Sequence, residues 1–368
     1  MEIIANDLED KDIMDLQLHK FSEIDLTDTF FDSLRESYPE FDAWFRKKSD
    51  EGATAYTYYI NGALADFLYL KVEDEVLLDV DPALPKKKRL KVGTFKVDNE
   101  SRHTTRGERF MKKIMDVAIA EDVDEVYVTI YPTGSLTKLI HMFEVFGFTH
   151  IAVKPHEGRN SEEVLVKDMR VHVDDLVLDY PFIKKTGSNK YVLSIKPEYH
   201  TRLFPDSILN NEQKYDLIRD VSETNSIYKI YICWMKGVNH LRRRDKLIIY
   251  RTNDHMGPAK YRSVCTSVCT VSEVKTYEDF ADEEEFVKYT NRYSVFSERE
   301  LSGWYKTKKH FTVIKMLYNI AFTKRDINKV MKEHVGLQPD YWGFFKLTED
   351  QFDKLLELGE IDERYIVD

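Results

Sequence analysis

The chain has 368 residues, of which 42% are hydrophobic and 32% charged, and 54 Lys+Arg against 65 Asp+Glu give a formal charge of −11. At roughly 150 residues per domain this length suits about two domains, each able to bury a core, and the apolar share excludes a disordered chain. No run of about 18 apolar residues is present to span a bilayer, and the acidic start MEIIANDLEDKDIMDLQLHK lacks a basic-then-apolar signal, so a cytoplasmic location without export is expected.

Residues 1–170 alternate between helix and strand patterns. TDTFFDSLRES (27–37) carries a Thr cap with Phe30, Phe31 and Leu34 at helical spacing, and after Pro39 a second helix runs through Trp44 and Phe45. ATAYTYYI and ALADFLYLKVE flank Asn61-Gly62, the favoured two-residue hairpin turn. A loop with Pro82, Pro85 and the run Lys86 to Arg89 then leads into the strand LKVGTFKVD, with the run reading as a charged hairpin tip or a phosphate contact. After the polar loop NESRHTTR come a helix from about Gly107 to Glu121, the strand EVYVTIY, a helix over about 135–146, and the strands FTHIAVK and EEVLVKDM. Such alternation indicates a mixed sheet with helices on both faces.

Residues 171–190 show no long element and read as a linker, which leaves 191–368 as a second domain. Its strand candidates are YVLSI, SIYKIYICWM, DKLIIYRT and YRSVCTSVCTVSEV, and its later helices fall near 282–290, 298–303, 324–335 and 348–358. Three cysteines are too few for a disulfide framework. Cys265 and Cys269, four apart in a strand, are expected on one face beside other apolar groups, and without further Cys or His ligands in pattern no metal is expected. The segment with Trp342, Phe344 and Phe345 and the helix after it read as a terminal element docked on this domain.

The most informative stretch is the strand, loop and helix of FKVDNESRHTTRGERFMKKIMDVAIA. Unpaired amides at a helix start, with the positive end of its dipole, attract anions. Arg102, Arg106 and Gly107 precede the apolar positions Phe110, Met111, Ile114, Met115 and Ala118. The pattern Arg102-His103-Thr104-Thr105-Arg106-Gly107 before Phe110-Met111 resembles the acyl-CoA motif of the GNAT acetyltransferase family. The order strand, loop, helix, strand, helix and the closing Gly147-Phe148 follow the same family, so the resemblance spans about residues 1–170. It implies acetyl-CoA or another acyl-CoA as co-substrate and an amine as acceptor, with Lys96, Val97, Arg102, Thr105, Arg106, Gly107 and Glu108 around the cofactor. A backbone N–H near Lys96 or Val97 would hold the oxyanion.

Two positions depart from the family. Thr105 stands at the motif's first glycine, and Phe143 stands where the family often has the Tyr that protonates the leaving thiolate. Tyr131 and His141 are then the candidate catalytic proton carriers, although each also fits a packing or surface role. Glu73 and Asp98, at strand ends, are candidate acceptors of the amine proton.

Residues 227–275, with Asp245 in a polar turn before Leu247-Ile248-Ile249-Tyr250 and a glycine-bearing loop into SVCTSVCTVSEV, resemble the PUA-like small barrels, particularly the ASCH and EVE branches. That resemblance implies an RNA or modified-base partner. Residues 225–325 hold 19 Lys+Arg against 11 Asp+Glu, a basic balance that the whole-chain charge conceals. Arg242, Arg243, Arg244, Lys308 and Lys309 lie near Trp234 and Trp304, a mixture of cations and stackable rings suited to single strands. Each Trp taken alone reads first as core packing, while the arginine triplet reads as an exposed contact surface.

The sequence therefore predicts an α/β (α+β) GNAT-like mixed sheet with flanking helices, followed by a small PUA-like β-barrel α+β domain. The expected activity is N-acyl transfer to an amine on an RNA or tRNA-linked substrate. The alternatives are an acyl-CoA-binding or modified-nucleic-acid-reading protein without catalysis, and an acetyltransferase for a protein or polyamine.

Overall fold

The computed structural model describes residues 16–98, 105–158, 160–204, 226–308 and 310–368. Arg102 and Lys309 lie outside the described residues. The chain divides into two compact units, Met1–Val171 and His172–Asp368.

The first unit runs β1 (Gln17–Lys20), α1 (Asp32–Ser37), α2 (Phe41–Asp50), β2 (Thr54–Ile60), β3 (Ala63–Leu77), β4 (Leu84–Val97), α3 (Arg106–Ala120), β5 (Glu125–Ile130), α4 (Thr137–Val145), β6 (Thr149–Lys154) and β7 (Glu162–Asp168). Its seven strands are ordered β1-β2-β3-β4-β5-β7-β6. Every neighbouring pair is antiparallel except β4–β5. Asn61 and Gly62 both have positive φ, 51° and 80°, as the tight turn between β2 and β3 requires.

Strand alternation sends Phe67 to one face and Phe95 to the other, since Phe67 is opposite Lys96. Phe67 joins Phe21, Phe31, Phe41 and Phe45 beneath α1 and α2. Phe95 meets Phe110 of α3 at 5.0 Å and Phe143 of α4 at 5.7 Å between ring centroids. Burying each such ring contributes about 2–3 kcal/mol.

The run Lys86 to Arg89 is not a hairpin tip. β4 begins at Leu84, and Lys87, Lys88 and Arg89 stand opposite Glu75, Asp74 and Glu73 of β3. Lys87 and Arg89 pair with Glu125 of β5 and Lys86 with Asp74 of β3, which holds as strand a sequence that alone reads as loop.

The second unit contains β8 (Ile183–Lys184), β9 (Lys190–Ile195), α5 (Pro197–Leu203), β10 (Tyr228–Cys233), β11 (Lys246–Arg251), β12 (Val264–Thr276), α6 (Glu283–Asn291), α7 (Glu298–Thr307), β13 (Thr312–Ala321), β14 (Phe344–Leu347), α8 (Glu349–Leu358) and β15 (Ile366–Val367). Six strands form one sheet in the order β10-β13-β12-β11-β9-β14, in which only β9–β11 is parallel. The barrel expected here does not close among the described residues, where β10 and β14 are the two edges.

One face packs on α6 and α7 through Phe286, Leu301 and Phe311, and the other on α8 through Phe352 and Leu355. Ser297 with Glu300, and Thr348 with Gln351, form reciprocal caps that start α7 and α8. The terminal aromatic segment supplies β14, paired with β9. Within 171–190, Tyr180 is fully buried and donates its hydroxyl to Tyr318 O at 3.1 Å, while Asn319 donates to Pro181 O at 3.0 Å.

The cysteines depart from the expected pattern. Cys265 packs in the α8-side core and Cys269 in the α6/α7-side core. A register shift pairs Ile249 with Ser267 but Tyr250 with Cys265, so Thr266 is skipped and the alternation reverses. Burial pushes both thiols up, and no group of metal-ligating side chains occurs among the described residues.

Candidate functional site

In the first unit β4 and β5 are paired only from Arg89–Glu125 to Val92–Val128. β4 continues to Val97 and β5 to Ile130, so the sheet opens beyond Val92. At that point the β3–β4 register shifts, with Tyr69 opposite Thr94 and Leu70 opposite Val92, and Gly93 forms a bulge that turns β4 away. The half-buried Lys96 and Val97 lie on the diverging part, and Lys96 Nζ reaches Ser33 of α1 at 2.5 Å.

The head of α3 lies on the Phe95 side of this opening. Gly107 brings α3 close to α4, since a Cβ there would stand 3.0 Å from Met142 Sδ. Thr105 is buried, and Glu108 sits in the first turn. Arg106 is buried rather than presented at the surface. Its Nη1 is 3.3 Å from Asp66 Oδ1, and its guanidinium lies 5.2 Å from the centre of the Tyr58 ring, with that of Arg109 5.1 Å from the same ring. Burial pushes the Asp66 carboxyl up to about 6, against the pull of both arginines. Nothing in the sequence spacing marks Asp66, because its partner is 40 residues away.

The remaining candidates separate. Glu73 accepts from the Tyr127 hydroxyl at 2.5 Å and pairs with Lys71, at the closed end of the β4–β5 pair. Asp98 donates its N–H to Ala65 O. His141 lies on the exposed face of α4, 76% exposed, with Glu144 at 3.6 Å as its polar contact among the described residues. Phe143 is fully buried between Phe95 and Phe148.

Tyr131, by contrast, follows β5 directly at the open end and belongs to a cluster. Its ring centroid is 5.5 Å from Tyr38 and 5.7 Å from His156. Tyr38 donates to Glu162 Oε1 at 2.9 Å, and His156 Nε2 is 3.0 Å from Glu162 Oε2. Burial, and then the Glu162 carboxylate, hold the Tyr38 phenol up, so it stays a donor. Tyr38, His156 and Glu162 had no motif to reveal them.

In the second unit Trp234 and Trp304 meet edge to face at 5.3 Å, and Lys308 Nζ lies 5.2 and 5.7 Å from their ring centres. Trp234 Nε1 donates to Lys308 O at 3.3 Å, yet the ring remains 41% exposed. The arginine run is less cationic than its sequence suggests. Arg244 pairs with Asp174 at 2.8 Å and Arg243 approaches Asp175 at 3.9 Å, while Arg242 is exposed. Both aspartates lie outside the basic window 225–325.

No helix among the described residues is long and apolar enough to cross a membrane. No family model and no curated protein matches the sequence. Solved structures do match. ASCH from Zymomonas mobilis is 12% identical, with 46% of this chain and 94% of that one covered and a TM-score of 0.32. A GNAT-family acetyltransferase from Streptococcus agalactiae is 14% identical, with 36% and 74% covered and a TM-score of 0.28. Human THYN1, in complex with DNA containing 5-methylcytosine, is 12% identical, with 48% and 99% covered and a TM-score of 0.28. GNAT and ASCH structures are thus both among the matches.

Proposed function

We propose that the first unit transfers an acyl group, acetyl in the simplest case, from acyl-CoA to an amine, and that the second unit binds RNA and thereby selects an RNA-linked acceptor. The observation that supports the transfer most is the end of β4–β5 pairing at Val92 and Val128, with both strands continuing past it beside the head of α3. Beyond Val92 the edge of β4 that faces β5 is left to an extended pantetheine arm, with the thioester oxygen near Val97. The pyrophosphate is assigned to the start of α3, beside Gly107. In this reading Arg106 stays with Asp66 and does not contact the pyrophosphate.

Gly107→Asp adds a negative charge in the first turn of α3, on its α4 side, which repels the pyrophosphate, and only the flexible end of Met142 has to give way. Calorimetry should show acetyl-CoA affinity falling at least about tenfold, or about 1.4 kcal/mol. Unchanged affinity overturns this assignment of the loop.

For the second unit, the exposed Trp234 face beside Lys308 suits stacking of one base. Trp234→Ala should weaken binding of a labelled single-stranded RNA by about 1–3 kcal/mol in anisotropy titrations. Loss of no more than experimental error removes this surface from the binding site. Phe143, which cannot donate a proton, supports the alternative of acyl-CoA binding without chemistry, and thiol release from acetyl-CoA separates the two.

A further inference from the structure

The Tyr38–Glu162–His156 network is placed by the topology at the mouth of the β4–β5 opening. Ile130, the last residue of β5, is paired with Glu163, which puts Glu162 at the edge of β7 alongside Tyr131. Lys154 is opposite Glu162, and His156 follows two residues later in the β6–β7 connection. α1 is tied to β4 through Ser33 and Lys96, and Tyr38, which ends it, reaches β7 at Glu162. It therefore crosses the end of β5, where Tyr131 stands.

The chemistry of the network is directional. The Glu162 side chain is only 5% exposed, and its two oxygens accept from two donors, the Tyr38 hydroxyl and His156 Nε2–H. A carboxylate only accepts, so it selects the Nε2–H tautomer of His156 and leaves Nδ1 with the basic lone pair. His156 is 26% exposed, buried enough to be oriented and open enough to meet a second substrate. Base, orienting carboxylate and a hydroxyl behind it repeat the logic by which enzymes hold an imidazole for proton transfer. The titratable groups facing His156 are Glu162 and Tyr131, with Tyr38 one step behind.

We infer that His156 is the catalytic base that takes the proton from the acceptor amine, that Glu162 is its positioning residue, and that Tyr38 holds Glu162 in place. The inference rests on the acyl-transfer reading of this unit. The neutral amine attacks the thioester carbonyl, the C–N bond forms, and the carbonyl electron pair moves to oxygen. One N–H proton passes to His156 Nδ1. The oxyanion then reforms C=O and expels the CoA thiolate, and the proton on His156 returns to sulfur. Amine and thioester become amide and thiol, and no other reactant is consumed.

The test is thiol release from acetyl-CoA by the full chain, with spermidine, lysine amide and glycine amide as amine probes. For the wild type, kcat/KM should rise with pH as a single imidazole loses its proton. His156→Ala should be slower by about 10²–10⁴-fold and lose that pH limb. Imidazole added to the buffer should restore part of its rate, which a purely structural role would not allow. His156→Gln, which keeps an amide for the bond to Glu162, should be equally slow while melting with the wild type. Glu162→Gln should lower kcat with acetyl-CoA affinity unchanged. A His156→Ala or His156→Gln enzyme within threefold of an active wild type, with the same pH profile, overturns the role of His156. A wild type that releases no thiol with any probe overturns the acyl-transfer reading itself.

Discussion

Gly93→Val lowers the unfolding free energy of the first unit by about 3 kcal/mol and removes acetyl-CoA binding, read by urea denaturation and calorimetry. A Cβ at Gly93 stands 2.6 Å from Tyr69 Cδ1 and 3.1 Å from its Cε1. Tyr69 cannot step aside, because it is buried edge-on against Phe21 at 5.2 Å and Trp44 at 5.6 Å. The remaining way to relieve the contact is to flatten the bulge. That would carry β4 on beside β5 past Val92 and close the opening, so stability and binding fall together. Retention of both would show that neither the bulge nor the opening depends on Gly93.

Phe311→Ala costs the second unit about 3–5 kcal/mol, measured as the shift of its denaturation midpoint followed by tryptophan fluorescence. Phe311 is fully buried, 4.7 Å from Phe286 and 5.5 Å from Tyr277, with Trp234 at 6.4 Å. The cavity would sit between α6 and the sheet, under the tryptophan pair. RNA affinity should therefore drop with Phe311→Ala even though Phe311 meets no ligand. An effect below about 1 kcal/mol would mean that the surrounding rings collapse into the space.

Much of the fold was legible because its signals are short-ranged. The Asn61-Gly62 turn and the apolar spacing of α3 each act within a few residues. Where the reading differed, a partner distant in the chain was responsible. Lys87 and Arg89 became strand beside β5, whose Glu125 pairs with both across 38 and 36 residues. Cys265 and Cys269 parted because the β11 register skips Thr266. Arg243 and Arg244 lost much of their free charge to Asp175 and Asp174, which precede them by about 70 residues.

The same division applies to the candidate site. Element order was enough to point to a mixed sheet with flanking helices followed by a second domain with a basic aromatic segment, and Tyr131 was a candidate from its place at a strand end. Charge in the sequence did not reveal which cations are already paired, since Arg106 turns inward to Asp66. Nor did any spacing join Tyr38 to Glu162, 124 residues apart. That contact exists because β7 pairs antiparallel with β5 and α1 crosses the strand end, placing a tyrosine, a carboxylate and His156 together. Local patterning sets which elements form. Strand register and helix packing, which sum many weak distant contacts, set which side chains meet.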